Sequence, residues 1–219
     1  MSRIIIVDDH PLFRAALRQT LTGADGTVRV EEAGDLAALG AALEADRDCD
    51  LVLLDLNMPG AHGFSGLLLL RAQYPEVPVM IISAVEDVKV MRRTFELGAA
   101  GYLPKSVGPA EIRAAIDTVL RGEVFVPDGV NLRGDDDQTD FIRRLATLTP
   151  QQIRVLMMLS DGLMNKQIAY ELSISEATVK AHVSSILQKL DVDSRTQAVI
   201  AASRIEQGQF EQLFSPDAA

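Results

Sequence analysis

Five residues stand where short apolar runs end, and their types suit one kind of chemistry. Asp8 and Asp9 follow RIIIV, Asp55 follows LVLL, Ser83 closes VPVMII and Lys105 comes directly after GYLP. Three carboxylates brought together repel one another unless a cation joins them. Hard oxygen ligands of this kind suit Mg2+, which keeps room for water and phosphate oxygens. A carboxylate can also attack phosphorus as a nucleophile and give an aspartyl phosphate. The metal would then screen the anionic nucleophile from the anionic donor, with Lys105 as a second positive charge. Ser83 would donate a hydrogen bond to the new phosphoryl group. Taken singly, each residue has a plainer reading: Asp8-Asp9 as a strand-to-helix cap, Lys105 as a surface lysine, Ser83 as a strand terminus. Their joint placement is what argues for a site.

That placement depends on what the runs become. RIIIV (3–7), VRVEEA (28–33), DLVLLD (50–55), VPVMIIS (77–83) and AGYLP (100–104) are short, mostly apolar and rich in branched side chains. Unalternated runs of this length predict strands buried on both faces. Between them the apolar spacing turns helical, as in Leu12, Ala16 and Leu17, in Leu36, Leu39 and Leu43, and in Ile112, Ile116 and Leu120. Leu67 to Leu70 and Val90 to Leu97 supply the other two helical segments. Five βα units predict an α/β fold with a doubly wound five-stranded parallel sheet, because right-handed crossovers leave few other solutions. Ligands of such sheets bind beyond the carboxyl ends of the strands, which is where all five residues fall.

Residues 122–148 break the pattern, mixing glycine, proline and the acidic run Asp135-Asp136-Asp137 without a sustained period. They read as a linker, flexible around Gly134 to Thr139. From Leu148 onward the period is helical, with helices expected over 150–160, 165–172, 176–190 and 195–206. Thr149-Pro150, Ser175 with Thr178, and Asp193-Ser194 supply start signals. Ile168, Ala169 and Leu172 line the inner face of one short helix, and Ser173-Ile174-Ser175 turns into the next. On that next helix Val179, Val183, Ile186, Leu187 and Leu190 form an apolar stripe, so Lys180, Ala181, Ser184, Ser185 and Gln188 point outward. A helix with small and basic residues on its outer face is slim enough to enter a DNA major groove. An ordinary helical hairpin is the plainer alternative.

The strings IIIVDDH, LVLLDLNMPGAHG, IISA and GAAGYLPKS resemble the receiver domain of two-component response regulators, over residues 1–122. The resemblance implies that Asp55 is phosphorylated and that Asp8, Asp9 and Asp55 bind Mg2+ with help from the backbone carbonyl of Asn57. It makes Ser83 the switch hydroxyl, Lys105 the phosphate-binding lysine and Tyr102 the switch aromatic, for which simple packing is the competing role. Met58-Pro59-Gly60 with Gly63 matches the family's tight loop. After a linker over 123–147, residues 148–210 resemble the LuxR/FixJ/NarL-type helix-turn-helix in the string running from LTPQQIRVL to DVDSRTQAV. That match implies base contacts from Lys180, Ala181 and Ser184. It places Thr178, His182 and Lys189 near the DNA backbone, and gives phosphate contacts to Asn165, Lys166, Arg195 and Thr196. Packing is the other role open to His182. Two departures stand out. Gln151-Gln152 replaces the usual Arg-Glu and removes a common structural ion pair. Ser184 stands where a longer side chain is usual, which shifts weight from base readout to dimerisation through Thr196 to Ala202.

Bulk properties bound the rest. A length of 219 residues suits two ordinary domains, and 47% hydrophobic with 24% charged residues describes folded globular material. The net charge of −10 argues against nucleic acid, yet residues 145–205 carry six basic residues (154, 166, 180, 189, 195, 204) against five acidic ones (161, 171, 176, 191, 193), a local charge of +1. Cys49 is the single cysteine, so no internal disulfide forms, and the start of the chain lacks the shape of a signal peptide. The expected location is the cytoplasm. The expected function is that of a transcriptional regulator and not an enzyme, phosphorylated by a sensor histidine kinase, binding double-stranded DNA and pairing as a homodimer when phosphorylated or bound to DNA. Two other classes compete. A tail that binds a protein instead of DNA would show no gel shift on genomic fragments. A phosphoaspartate hydrolase of the haloacid dehalogenase type would turn over substrate, but that class wants an acid two residues after the nucleophile, where Asn57 stands.

Overall fold

The structure is a computed structural model describing residues 2–22, 28–58, 61–132, 141 and 143–200. The chain divides into two compact units, Met1–Gly134 and Asp135–Ala219. In the first, β1 (Ser2–Val7), α1 (Pro11–Leu21), β2 (Val28–Ala33), α2 (Leu36–Ala45) and β3 (Leu51–Leu54) alternate as expected. A small hairpin of β4 (Asn57–Met58) and β5 (Ala61–His62) follows, then α3 (Ser65–Gln73), β6 (Val79–Ser83), α4 (Val88–Glu96), β7 (Gly101–Pro104) and α5 (Pro109–Leu120). The sheet order is β2-β1-β3-β6-β7 with every pairing parallel. Of the expected tight loop, Pro59 and Gly60 lie outside the described residues.

The runs become strands because helices cover both faces of the sheet. Ile4 to Val7 and Leu51 to Leu54 are all at most 1% exposed, a burial that only uninterrupted apolar residues tolerate. One side of the core joins Ile4, Ile6, Leu51, Leu53, Met80 and Leu103 to Ile112, Ala115 and Ile116 of α5. Cys49 belongs to this buried material, and burial pushes its thiol up to about 11, so it stays protonated and unreactive at neutral pH.

Beyond α5 the backbone does not leave the sheet at once. The Phe125 N–H donates to the Ala100 carbonyl at 3.0 Å, and the Tyr102 N–H donates to the Phe125 carbonyl at 3.3 Å, a parallel bridge on the open edge of β7. Arg92 of α4 donates to the Asn131 carbonyl at 3.0 Å. Residues 123–132, which read in sequence as the start of the linker, are thus bonded to the first unit. Gly101 permits the bridge: a Cβ there would stand 2.5 Å from Met80 Cε and 3.4 Å from Phe125 Cβ. The segment around Gly134 to Thr139 lies outside the described residues.

The second unit is helical, with α6 (Pro150–Ser160), α7 (Asn165–Glu171) and α8 (Glu176–Leu190) followed by helical residues 195–200. Thr149 Oγ1 accepts from the Gln152 N–H at 3.3 Å while Gln152 Oε1 accepts from the Thr149 N–H at 3.0 Å, a reciprocal cap before Pro150. Ser175 Oγ caps α8 through the Thr178 N–H at 3.0 Å, and Ser194 Oγ accepts from the Gln197 N–H at 3.2 Å. The α7–α8 turn passes through Ser173 at φ 52°, and Asp191 at φ 56° ends α8 in the left-handed region where glycine is usual. Residues 201–206 of the last expected helix lie outside the described residues.

A buried ion pair ties β1 to β2. Arg3, 6% exposed, donates Nη2–H to Glu31 Oε2 at 2.7 Å and further hydrogen bonds to the carbonyls of Ala42 and Asp46. The hydrogen bond from Arg3 holds the Glu31 carboxyl below its ordinary value, against an opposing push from burial. A depressed folded-state pKa gives stability that is complete above the ordinary glutamate value of about 4.3 and is lost as pH falls through the folded value. Urea denaturation from pH 7 to pH 3.5 should therefore show Glu31→Gln less stable than wild type near neutrality, with the gap closing on acidification. A gap independent of pH would mean that the pair contributes nothing ionic.

Candidate functional site

The carboxyl ends of β1, β3, β6 and β7 bring the sequence-predicted cluster together. Asp8 is fully buried and Asp55 is 2% exposed, two carboxylates that the interior tolerates only with a positive partner. Lys105 is that partner: its Nζ lies 2.6 Å from Asp8 Oδ2 and 2.8 Å from Asp55 Oδ2. The sheet sets its reach, since the Lys105 N–H donates to the Ser83 carbonyl at 2.7 Å and the Asp55 N–H to the Val7 carbonyl at 2.9 Å. Burial pushes the Lys105 ammonium down, but its hydrogen bond to Asp55 and the charge attraction of Asp55 and Asp8 outweigh it and raise the pKa above its ordinary value. The ring of Phe13, at 4.7 Å from Nζ, offers its electron-rich face to the same ammonium.

The remaining predicted residues surround this core. The Asn57 N–H donates to Asp55 Oδ1 at 3.3 Å, so each oxygen of Asp55 has a donor. Ser83 is fully buried and its Oγ accepts from the Val85 N–H at 3.2 Å. Tyr102 is buried with its ring inward, and its hydroxyl donates to the Val85 carbonyl at 2.6 Å. Burial pushes that hydroxyl up to about 12, so it remains a donor.

One ammonium against Asp8, Asp9 and Asp55 leaves the cluster negative. Asp8 Oδ2 and Asp9 Oδ1 are buried and accept no hydrogen bond. Both have a nitrogen close by, Lys105 Nζ and His10 Nδ1 respectively, but at ion-pair distance without the alignment of a hydrogen bond. Donor atoms of Asp8, Asp9, His10 and Asp55 all lie within 4.8 Å of one another. Orphaned carboxylate oxygens at this spacing fit a hard divalent cation. Sequence reasoning missed His10 and Phe13. Both sit in DDHPLF beside the acidic pair, but no spacing rule announced which way their rings would turn.

In the second unit the stripe of α8 packs inward, with Val179, Ile186 and Leu190 buried. Thr178, Lys180, Ala181 and Ser184 are exposed on the opposite side, and His182 is half-buried between the two. Lys180 pairs with Glu176 one turn earlier at 3.1 Å. Lys166 and Thr196 are also exposed. The other three residues expected at DNA, Asn165, Lys189 and Arg195, are half-buried and make hydrogen bonds within the domain. Arg195 donates to Asn165 Oδ1 at 2.8 Å and to the Leu163 carbonyl. Lys189 Nζ donates to the Thr147 carbonyl at 2.7 Å and to Gln152 Oε1 at 2.9 Å. Gln152, itself buried, passes the network on through Nε2 to Ser185 Oγ at 2.8 Å. Gln152, one of the two departures from the family pattern, thus takes a charge-assisted hydrogen bond from Lys189.

Hydrogen bonds of this type to charged groups contribute about 1.5–3 kcal/mol. Lys189→Ala should destabilise the second unit by roughly that amount in urea denaturation of the full chain. Unchanged stability would show that the lysine is free to reach a DNA backbone.

Comparison with known proteins matches both halves. Residues 4–117 match the family described as response regulator receiver domain, and residues 146–202 match the family of bacterial regulatory proteins, luxR family. The glycerol metabolism activator of Pseudomonas putida is 41% identical over 214 residues, covering 94% of this chain and 97% of its own. The nitrate/nitrite response regulator NarL of Escherichia coli is 32% identical, covering 90% of this chain and 93% of its own. Among solved structures, a LuxR family DNA-binding response regulator from Silicibacter pomeroyi is 37% identical over 58% of this chain and 98% of that one, with a TM-score of 0.52. The acidic cluster at the sheet edge and the exposed helix after the turn therefore sit where these families place their receiver and DNA-binding halves, and the chain belongs to the two-component response regulators with a LuxR-type helix-turn-helix.

Proposed function

We propose that this chain controls transcription through a phosphoryl group on Asp55, taken from a sensor histidine kinase, and that α8 reads double-stranded DNA. The observation that carries the reading is Lys105 Nζ set between the buried carboxylates of Asp8 and Asp55 at 2.6 and 2.8 Å. Asp8, Asp9 and Asp55, with the backbone carbonyl of Asn57, would hold Mg2+, whose charge would screen nucleophile from donor. An Asp55 oxygen attacks phosphorus and the P–O bond forms as the donor's P–N bond breaks, its electron pair returning to the donor imidazole. Lys105 then transfers its contact from the Asp55 carboxylate to a phosphoryl oxygen, and Ser83 Oγ–H turns to donate to another. Tyr102 registers the change because its hydroxyl bonds the Val85 carbonyl, two residues beyond Ser83. These shifts bias a two-state receiver and so the DNA-binding half. Lys180, Ala181 and Ser184 face the bases, with Thr178, His182, Lys166 and Thr196 toward the DNA backbone. Lys189 lies near the same backbone, and Asn165 and Arg195, bonded to each other at 2.8 Å, offer it further phosphate contacts. The chain acts in the cytoplasm, as a homodimer on DNA that uses the helix beginning near Thr196.

Acetyl phosphate with Mg2+ should add one phosphoryl group, and Asp55→Asn should accept none; equal labelling of the two would move the site elsewhere. In gel shifts, Lys180→Ala should weaken binding at the cognate operator by about 1–3 kcal/mol and change binding to unrelated DNA little. Equal loss on both would make it a phosphate contact, and no loss on either would take α8 out of the groove.

A further inference from the structure

His10 directly follows the acidic pair, and the phosphotransfer reading leaves it without a task. It precedes the first turn of α1, yet its side chain caps nothing there. The side chain is 64% exposed, but the ring turns back toward the site, with Nδ1 2.7 Å from Asp9 Oδ1 and 3.1 Å from Asp8 Oδ1. The backbone fixes this direction. The His10 N–H donates to Asp8 Oδ1 at 2.7 Å, and Pro11 holds the chain immediately after.

A structural hydrogen bond would be the simple purpose of such a ring, and Nδ1 does stand at hydrogen-bond distance from Asp8 Oδ1, 3.1 Å away. Asp9 Oδ1 nevertheless remains a buried oxygen that accepts no aligned hydrogen bond, so the ring does not satisfy it. The spacing fits another arrangement. Bonds of 2.0–2.1 Å at right angles put neighbouring ligand atoms of an octahedral ion about 2.9 Å apart. The two N···O distances, 2.7 and 3.1 Å, lie on either side of that value. The donor atoms of Asp8, Asp9, His10 and Asp55, all within 4.8 Å of one another, stay close to the span of about 4.2 Å between opposite ligands of the same ion. Mg2+ takes oxygen and gains little from imidazole, whereas first-row transition ions gain a bond they prefer.

We propose that His10 is a nitrogen ligand that lets the acidic site of this receiver take a first-row transition-metal ion, with Ni2+ as the clearest probe, besides an all-oxygen Mg2+. The inference rests on the acidic cluster being the cation site of the proposed phosphotransfer. His10 binds in its neutral form, with its proton on Nε2 and the Nδ1 lone pair turned to the ion. The metal content of the cell then enters the chemistry of Asp55, since the ion held there sets the charge its nucleophile meets.

Calorimetric titration of the untagged full-length protein with Mg2+ and with Ni2+ tests this, together with His10→Ala, His62→Ala and Asp9→Ala. The expected result is a Ni2+-over-Mg2+ affinity ratio about tenfold or more lower in His10→Ala, in the range typical of a lost ligand contact, and unchanged in His62→Ala. Co2+ should give the wild type an absorption band shifted by nitrogen ligation, and the shift should disappear in His10→Ala. An unchanged ratio in His10→Ala, or a fall caused by His62→Ala instead, overturns the role of His10 while leaving the Mg2+ site intact. If Asp9→Ala weakens neither ion, the cation site itself is misplaced and both readings fall.

Discussion

At the carboxyl edge of the sheet, Lys105 faces two buried carboxylates at once, and the rest of the first unit is arranged around keeping that possible. Burying a charge without a partner costs several kcal/mol, and the ammonium held between Asp8 and Asp55 offsets that cost. Lys105 in turn is kept in place by register. Its own N–H is bonded to the Ser83 carbonyl, its stem emerges from β7, and the Phe13 ring covers its head. The strands therefore serve the site as rigid arms, each ending in one side chain that the others need. The single ammonium does not neutralise three acids, and the residual negative charge suits a hard divalent cation.

The same edge is wired to the backbone that leaves the receiver. Tyr102 is bonded at both of its ends, its hydroxyl to the carbonyl of Val85 in the loop after β6 and its backbone N–H to the carbonyl of Phe125. A movement of Val85 in the loop after β6 would therefore reach Phe125 through Tyr102. The coupling is local and physical: a fully buried ring has little room to accommodate a shifted acceptor without moving its own strand. In the second unit Arg195 and Lys189 bond Asn165, Gln152 and backbone carbonyls, while Lys166 of α7 and Lys180 of α8 are exposed.

Much of this was legible in the amino-acid sequence, for reasons that also explain what was not. The five strands announce themselves because burial on both faces forces uninterrupted apolar runs, and a run that ends in Asp, Ser or Lys marks the edge where chemistry can occur. The caps at Thr149, Ser175 and Ser194 were readable because a side-chain oxygen before a helical stretch has one common use. The hairpin of β4 and β5 was not, since two-residue strands carry no period. Phe125 bridges to β7 through its backbone, and one half-buried aromatic in a stretch without period does not announce a strand. The hydrogen bonds of Lys189 and Arg195 to the Thr147 and Leu163 carbonyls were not legible either, because a long cationic side chain reaches outward or inward equally well. His10 was visible as a residue type, but its ring direction follows from the backbone bond to Asp8, which pattern cannot supply.

The bridge at Phe125 has a consequence for how this receiver behaves when separated from its partner domain. β7 is an outer strand, and outer strands offer unpaired N–H and C=O groups that recruit strands from other molecules. Residues 123–132 cover part of that border, much as a selvedge keeps a woven edge from fraying. A receiver cut after the last turn of α5 would retain its sheet and its acidic edge yet lose its binding along one side, exposing the Tyr102 amide and the Ala100 carbonyl to any neighbour with a free strand. The unit that keeps this edge covered is therefore longer than the βα repeat.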